Sequence, residues 1–307
     1  MEGARIFVDR ESARSVFERA VFGIPEDRSI IRVFHGVGGQ GKTALAEELY
    51  RLSQGKSDPS FGFLNAAKVV PGKAPDPDLF LIQIRDAFAR AGVPFPAFDL
   101  AFAIMWQKVR GERQLPVIEN AWLHRASDAA SAIVPDAIKL SVKLVEETAA
   151  SVPGVGWLAS AGTRWFLDRG KRAWLFQSRE CLNLLYRNNE LVPDAELVGL
   201  MPRILADDLR TYVDKNKRHR LVLFVDEYER IFEGAGGGGE FSRNESDRLL
   251  QRLVECAGGL LVVFFSRNRL PWEDNPVWRE RLSNAHTCLD GLPEACAEEW
   301  LQKVPVP

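Results

Sequence analysis

The chain has 307 residues, 46% of them hydrophobic and 27% charged, and its 40 lysine and arginine residues nearly balance 42 aspartate and glutamate residues. This composition is typical of a globular protein with one large or two ordinary domains, and it excludes a disordered or fibrous chain. The formal net charge of −2 gives no overall attraction to nucleic acid or to an anionic membrane. The four cysteines form no CxxC pair, so neither a disulfide framework nor a zinc ribbon is expected. Sparse cysteines, an N-terminus without a secretory signal and the lack of a run of about 20 apolar residues predict a cytoplasmic protein without membrane contact.

Strand and helix patterns alternate in the first third of the chain. Short runs of β-branched and aromatic residues predict strands, and apolar residues at helical spacing predict helices. The predicted elements, in chain order, are an extended segment at 5–9, a helix at 11–21, a strand at 29–35, a helix that begins at Lys42, an extended run at 61–70 and a helix at 78–91.

The pattern changes between about residues 94 and 192, where helical stretches with many tryptophans and no convincing alternating strand predict an α-helical insertion. Strands return at 221–225 and 260–265, with a helix at 245–256 between them. Because both strands are continuous apolar runs between helices, we expect a parallel sheet covered on both faces, which is an α/β fold.

Residues 36–43, GVGGQGKT, match the GxxxxGK[ST] pattern of a phosphate-binding loop and lie between a predicted strand and a predicted helix. Glycines let the backbone turn tightly, so that successive N–H groups and the helix N-terminus point at phosphate oxygens. The lysine would reach the β- and γ-phosphates, and the threonine hydroxyl would ligate Mg²⁺. The alternative is a glycine-rich turn without a ligand. The residues expected to bind nucleotide are Gly36, Gly38, Gly39, Gln40, Gly41, Lys42, Thr43 and Ala44.

Acidic residues follow the strand at 221–225. Asp226 comes at its C-terminal end, which is the edge of a parallel sheet where ligands bind. This carboxylate would hold Mg²⁺ directly or through water, and the adjacent Glu227 could polarise an attacking water. Glu229 is a second candidate base, and the sequence leaves the choice between the two glutamates open.

Polar residues also follow the strand at 260–265. Ser266, Arg267 and Arg269 come directly after it, and an arginine there could contact the γ-phosphate and stabilise charge during transfer. The alternative, which the residues support equally, is that these arginines form surface ion pairs.

Five segments in order, FVDRE, VFHGVGGQGKTAL, LVLFVDEYERI, LVVFFSRNRLPW and LDGLPEACAEEWL, resemble the nucleotide-binding core of STAND NTPases. These are signal-transduction ATPases related to apoptotic and plant-immunity switches, and the sequence is most similar to bacterial members with tetratricopeptide repeats downstream. The resemblance covers roughly residues 5–70 and 195–304. It implies an ASCE-type P-loop NTPase fold that binds ATP or ADP with Mg²⁺. The roles that it implies are catalytic for Lys42, Glu227 and Arg267, Mg²⁺-binding for Thr43 and Asp226, and adenine-enclosing for Phe7, Val8 and Arg10.

The same resemblance implies a domain organisation and a function. Residues 1–93 and 193–288 would form the two parts of the NTPase domain, 94–192 the helical insertion, and 289–307 the start of a truncated helical domain. Slow, regulatory ATP hydrolysis would control assembly and signalling, in bacterial antiphage defence or cell death. Expected partners are further copies of the chain or C-terminal sensor and effector domains.

Two other functions stay open. Basic residues interleaved with aromatic ones between residues 164 and 187 could hold nucleic-acid strands, which defines a nucleic-acid-handling P-loop ATPase as an alternative. The same spacing describes an amphipathic helix, and we prefer that interpretation. The second alternative is a nucleotide-bound interaction module that does not hydrolyse its ligand.

Overall fold

The computed structural model describes residues 10–54, 58–66, 77–110, 181, 184–187, 190–216, 220–231, 245–289 and 291. The chain divides into two compact units, one formed by Met1–Ala91 with Val213–Pro307 and the other by Gly92–Tyr212. The predicted extended segment at 5–9 and most of the predicted C-terminal segment at 289–307 lie outside the described residues.

The described strands are β1 (Ile30–His35), β2 (Ser60–Asn65), β3 (Tyr186–Arg187), β4 (Glu190–Leu191), β5 (Leu221–Asp226), β6 (Leu260–Ser266) and β7 (His286–Cys288). The described α-helices are α1 (Glu11–Phe22), α2 (Lys42–Ser53), α3 (Pro77–Arg90), α4 (Pro96–Arg110), α5 (Asp194–Lys215), α6 (Glu245–Cys256) and α7 (Pro276–Leu282). Two short 3₁₀ helices follow β5 and β6, at Tyr228–Ile231 and Pro271–Asp274.

The first unit is built on a five-stranded sheet in which every pair of neighbours is parallel, in the order β2-β5-β6-β1-β7. Helices flank this sheet, so the predicted α/β class with a parallel sheet is confirmed. Strand β6 separates β1, which precedes the glycine loop, from β5, which ends at Asp226. Because all five strands run in the same direction, their C-terminal ends meet at one edge of the sheet.

The core of this unit lies on β5 and β6, in which every residue is buried. Helix α1 packs an apolar face of Ala13, Phe17 and Ala20 onto it, at the spacing of three to four residues that one helical face requires. The side chain of Phe224 is the centre of an aromatic cluster, with ring centroids 5.5 to 6.3 Å from those of Phe17, Tyr50, Phe61, Phe63 and Phe265.

The second unit joins the start of α4 to α5 through a buried carboxylate. Asp208 Oδ2 accepts a hydrogen bond of 2.8 Å from the backbone N–H of Phe98, and its Oδ1 accepts one of 3.4 Å from that of Ala97. Burial raises the pKa of Asp208 well above its ordinary value, and these two hydrogen bonds oppose the shift. Asp208 therefore accepts hydrogen bonds from N–H groups at the start of α4. These N–H groups have no hydrogen-bond partner within that helix.

Several predictions of local structure need correction. The extended run predicted at 61–70 ends as a strand at Asn65. Most of the α-helical insertion predicted at 94–192 lies outside the described residues; in its described part, β3 and β4 form a short antiparallel ladder that the sequence pattern did not predict. Strands of two residues are too short to display alternation, so no periodic signal marks them. None of the helices in the described part of the chain combines the length and apolar character that a membrane crossing requires.

Candidate functional site

The loop between β1 and α2 brings a glycine-rich backbone to the C-terminal edge of the sheet. Gly39 and Gly41 have φ angles of 84° and 75°, in the left-handed region that favours glycine. Gly41 is the N-cap of α2. Because glycine has no side chain, it makes no capping hydrogen bond to the first N–H groups of the helix. Since these N–H groups have no partner within the helix, they are available to a ligand at the loop.

One side of this loop is packed and the other is open. A methyl group added at Gly36 would lie 2.0 Å from Gln40 Oε1 and 2.7 Å from the carbonyl oxygen of Leu289. A methyl group added at Gly38, Gly39 or Gly41 would meet no atom within 4 Å. The packed side is anchored to the sheet, because the N–H of Gly36 donates to the carbonyl of Ser266 at the end of β6, at 3.3 Å.

Lys42 turns its ammonium group back onto the loop. Its Nζ donates to the carbonyl oxygens of Gly36 at 2.7 Å and Val37 at 2.8 Å. Burial lowers the pKa of Lys42; the negative charges of Glu229 and Asp226 raise it, and the positive charge of Arg267 lowers it further. The ammonium group of Lys42 therefore lies within electrostatic reach of the residues that end β5 and follow β6.

Asp226 ends β5 as a buried carboxylate. Asn65 Nδ2 donates to its Oδ2 at 3.2 Å, and the hydroxyl of Thr43 and the backbone N–H of Glu227 lie close enough to act on its charge. Burial raises the pKa of Asp226 to about 6, and the charges of Glu227 and Glu229 raise it as well, while the Thr43 hydroxyl and the Glu227 N–H lower it. The contact with Thr43 joins the first turn of α2 to the end of β5, and the Mg²⁺-binding role of both residues stays a prediction.

Asn65 was not predicted as a site residue, yet it lies at the end of β2 directly opposite Asp226 in the parallel register. The signal was present, since Asn65 is a polar residue at the C-terminal end of a strand, as Asp226 is. Its importance depends on β2 being the neighbour of β5, and 161 residues separate the two side chains in the chain.

These oxygen atoms fit a hard divalent cation. In the described ranges, no group of three or more histidine, cysteine, aspartate or glutamate side chains converges to hold a metal. Mg²⁺ commonly takes only one or two protein oxygens and completes its octahedron with water and substrate phosphate. The paired oxygens of Thr43 and Asp226, next to a loop with open N–H groups, match that requirement.

The two candidate bases differ in their surroundings. Glu227 is half-buried and has a φ of 53°, which is unusual for a residue with a side chain. Its carbonyl accepts the N–H of Arg230 at 2.9 Å, which closes a tight turn directly after the strand. Tyr228 points into the core, and Glu229 contacts the chain after β6.

Arg267 and Glu229 form a two-point contact. The backbone N–H of Arg267 donates to Glu229 Oε2 at 3.2 Å, and Arg267 Nε lies 3.1 Å from Glu229 Oε1. The ion-pair alternative for Arg267 is therefore present in the structure, and its role at a γ-phosphate stays a prediction. Arg269 lies 3.8 Å from Glu273 in a second, exposed pair.

A buried carboxylate holds the segments after β5 and β6 together. Asp247 of α6 accepts hydrogen bonds from the hydroxyl of Tyr228, from Trp272 Nε1 at 2.7 Å and from Gln251 Nε2 at 2.8 Å. Tyr228 lies between the two candidate bases, and Trp272 follows the arginines. We call these three residues, Tyr228, Asp247 and Trp272, the Asp247 brace.

The N-terminal segment reaches the same loop. Arg10 Nη2 donates to the carbonyl oxygen of Gln40 at 2.8 Å. Phe7 and Val8, which were expected to enclose adenine with Arg10, lie outside the described residues. The role of all three at adenine stays a prediction.

A scan against models of protein families finds no match to this chain, and a search among curated proteins finds none with a similar sequence. The resemblance to STAND NTPases therefore depends on the five segments quoted above. Any function must be argued from the geometry of the site itself.

Proposed function

We propose that this chain binds a nucleoside triphosphate with Mg²⁺ at the C-terminal edge of its sheet and hydrolyses it slowly. The observation that carries the proposal is the approach of the Thr43 hydroxyl to Asp226, beside a glycine loop onto which Lys42 folds its ammonium group. It joins the residue types that bind phosphate and Mg²⁺ although they lie far apart in the chain.

Each residue has a defined task in this proposal. The N–H groups of residues 36–44 bind phosphate oxygens, and Lys42 exchanges its two carbonyl partners for the β- and γ-phosphates. Thr43 and Asp226 would hold Mg²⁺, which would neutralise negative charge on the phosphates during transfer. Glu227, which directly follows the proposed Mg²⁺-binding residue Asp226, accepts a proton from the attacking water.

The parallel sheet brings the phosphate loop after β1 and the carboxylate at the end of β5 to one edge, with strand β6 between the two strands. Together with the five resembling segments, this supports an ATP-dependent switch of the STAND class whose nucleotide state controls assembly. The basic and aromatic residues that favour a nucleic-acid function lie almost entirely outside the described residues, and no contact described above favours that alternative.

The first test is calorimetric titration of ATP and ADP, each with Mg²⁺, into the wild type and Lys42→Ala. Loss of charge-assisted hydrogen bonds predicts that the variant binds at least about tenfold more weakly. Lys215→Ala, at the exposed end of α5, is the matched control and should bind as the wild type does. Equal affinity of the wild type and Lys42→Ala would contradict the phosphate site.

The second test separates a hydrolysing switch from a non-hydrolysing module. Glu227→Gln should keep its nucleotide affinity and lose most of its phosphate release, because the amide cannot accept the proton. Phosphate release that is retained in Glu227→Gln and lost in Glu229→Gln would move the base to Glu229. Light scattering with ATP and with ADP measures assembly, and a mass that does not depend on the nucleotide would contradict the switch.

A further inference from the structure

The two-point contact between Glu229 and Arg267 lies beside the phosphate loop. Arg267 directly follows Ser266, whose carbonyl accepts the N–H of Gly36. Both charges of the pair act on the ammonium group of Lys42, and that of Glu229 has the larger effect. The pair is therefore next to the place where the proposed site would bind the terminal phosphate.

We propose that Glu229 competes with the γ-phosphate for Arg267, and that this competition sets the preference of the site between nucleoside triphosphate and diphosphate. The inference rests on the proposed nucleotide site and assigns to Glu229 a role in specificity. A triphosphate must displace the carboxylate from Arg267, whereas a diphosphate leaves the pair intact.

The exposure of the two side chains is suited to such an exchange. The side chain of Glu229 is 14% exposed and that of Arg267 is 52% exposed. The carboxylate is thus held by its surroundings, while half of the guanidinium side chain is in solvent and can rotate away without burying a charge. A planar guanidinium with several donors binds phosphate oxygens as well as it binds carboxylate oxygens, so its two partners are chemically equivalent.

Removal of the carboxylate charge should therefore favour the triphosphate. In Glu229→Gln, Arg267 is released from its competing carboxylate and can bind the terminal phosphate. We expect affinity for the triphosphate to rise on the order of tenfold relative to the diphosphate, as for a hydrogen bond between charged groups. Arg267→Ala should reduce the same ratio below that of the wild type.

The experiment is calorimetric titration of Mg²⁺-ADP and of Mg²⁺-AMP-PNP, a triphosphate analogue that resists hydrolysis. The proteins are the wild type, Glu229→Gln, Arg267→Ala and the double variant, with thermal unfolding as the check of folding. Glu255→Gln is the matched control, because it removes one carboxylate from a 3.0 Å pair with Arg252 on α6. The expected result is a raised triphosphate-to-diphosphate ratio in Glu229→Gln, which the double variant loses and the control does not show.

Two results would overturn the inference. In the first, Glu229→Gln changes the affinities for the triphosphate and the diphosphate by the same factor. In the second, the double variant keeps the raised triphosphate-to-diphosphate ratio, which would show that Glu229 does not compete for Arg267. Failure of the proposed function is distinct, since the wild type would then bind neither nucleotide, and the inference would fall with it. If Glu229→Gln does not fold, the Nε–Hε resonance of Arg267 in the wild type decides: it should shift with AMP-PNP and not with ADP, and equal shifts would refute the competition.

Discussion

The buried carboxylate of Asp226 makes the stability of the chain depend on pH in an unusual direction. Its pKa is raised from 3.8 to about 6 in the folded chain, chiefly by burial. Between these two values the folded chain holds a proton that the unfolded chain has released, so the free energy of unfolding falls as the pH rises. A shift of about two pKa units, at 1.36 kcal/mol per unit, lowers the free energy of unfolding by roughly 3 kcal/mol. This reduction is fully present above pH 6.

Asp226→Asn removes this titration and leaves the shape of the residue unchanged. Loss or gain of individual hydrogen bonds in the variant adds a constant that does not vary with pH. The difference in unfolding free energy, variant minus wild type, should therefore increase by about 2–3 kcal/mol between pH 4 and pH 7. Urea unfolding at half-unit steps of pH, without Mg²⁺, measures this difference.

Two further measurements test the same reasoning. Thr43→Val removes the hydroxyl that lowers the pKa of Asp226, so the fall in unfolding free energy with rising pH should extend to higher pH than in the wild type. Mg²⁺ at pH 7 should stabilise the wild type and not Asp226→Asn, because only the carboxylate offers a charged ligand. A difference between Asp226→Asn and the wild type that stays constant from pH 4 to pH 7 would refute the reasoning.

Three other substitutions test the packing around the site and the core. Gly36→Ala should lower the free energy of unfolding by about 1–3 kcal/mol, because the added methyl group would lie 2.0 Å and 2.7 Å from two oxygen atoms. Gly38→Ala is the control, because its methyl group would meet no atom within 4 Å and should change the stability little. Equal effects of the two substitutions in thermal unfolding would contradict this reasoning. Phe17→Ala should lower the free energy of unfolding by about 3–5 kcal/mol, because this residue is only 5% exposed. Phe22, on the same helix, is 91% exposed, so Phe22→Ala should change the free energy of unfolding by no more than about 0.5 kcal/mol in urea unfolding. Tyr228→Phe removes a donor from a buried carboxylate and should cost about 1–3 kcal/mol; a variant as stable as the wild type would show that the hydrogen bond adds nothing.

The sequence predicts the parts of the fold that local patterns specify. Strands β5 and β6 are continuous apolar runs because both their faces are covered, and this signal needs no knowledge of the neighbours. The glycine loop is similar, since left-handed φ angles at Gly39 and Gly41 require the residue type that the pattern names. In contrast, β7 has three residues and is defined only by its pairing with β1, so it has no signal of its own.

The candidate site shows the same division. Lys42, Thr43 and Asp226 are predictable because each occupies a fixed position after a strand or a glycine loop. The contact of Asn65 with Asp226 depends on the order of strands, and the pairing of Arg267 with Glu229 depends on the turn at Glu227. Contacts of this kind arise from the tertiary arrangement, and no spacing in the sequence specifies them.

The Asp247 brace has a consequence for the cooperativity of the site. If the segment after β5 detached alone, the carboxylate of Asp247 would stay buried and lose its hydrogen bond from the hydroxyl of Tyr228. If the segment after β6 detached alone, the same carboxylate would lose its hydrogen bond from the indole N–H of Trp272. Each partial opening leaves a charge incompletely satisfied, which costs more than the single bond that is broken. We therefore expect the turn at 227–231 and the segment at 267–274 to open to solvent as one unit, with equal protection of their backbone amides against hydrogen exchange.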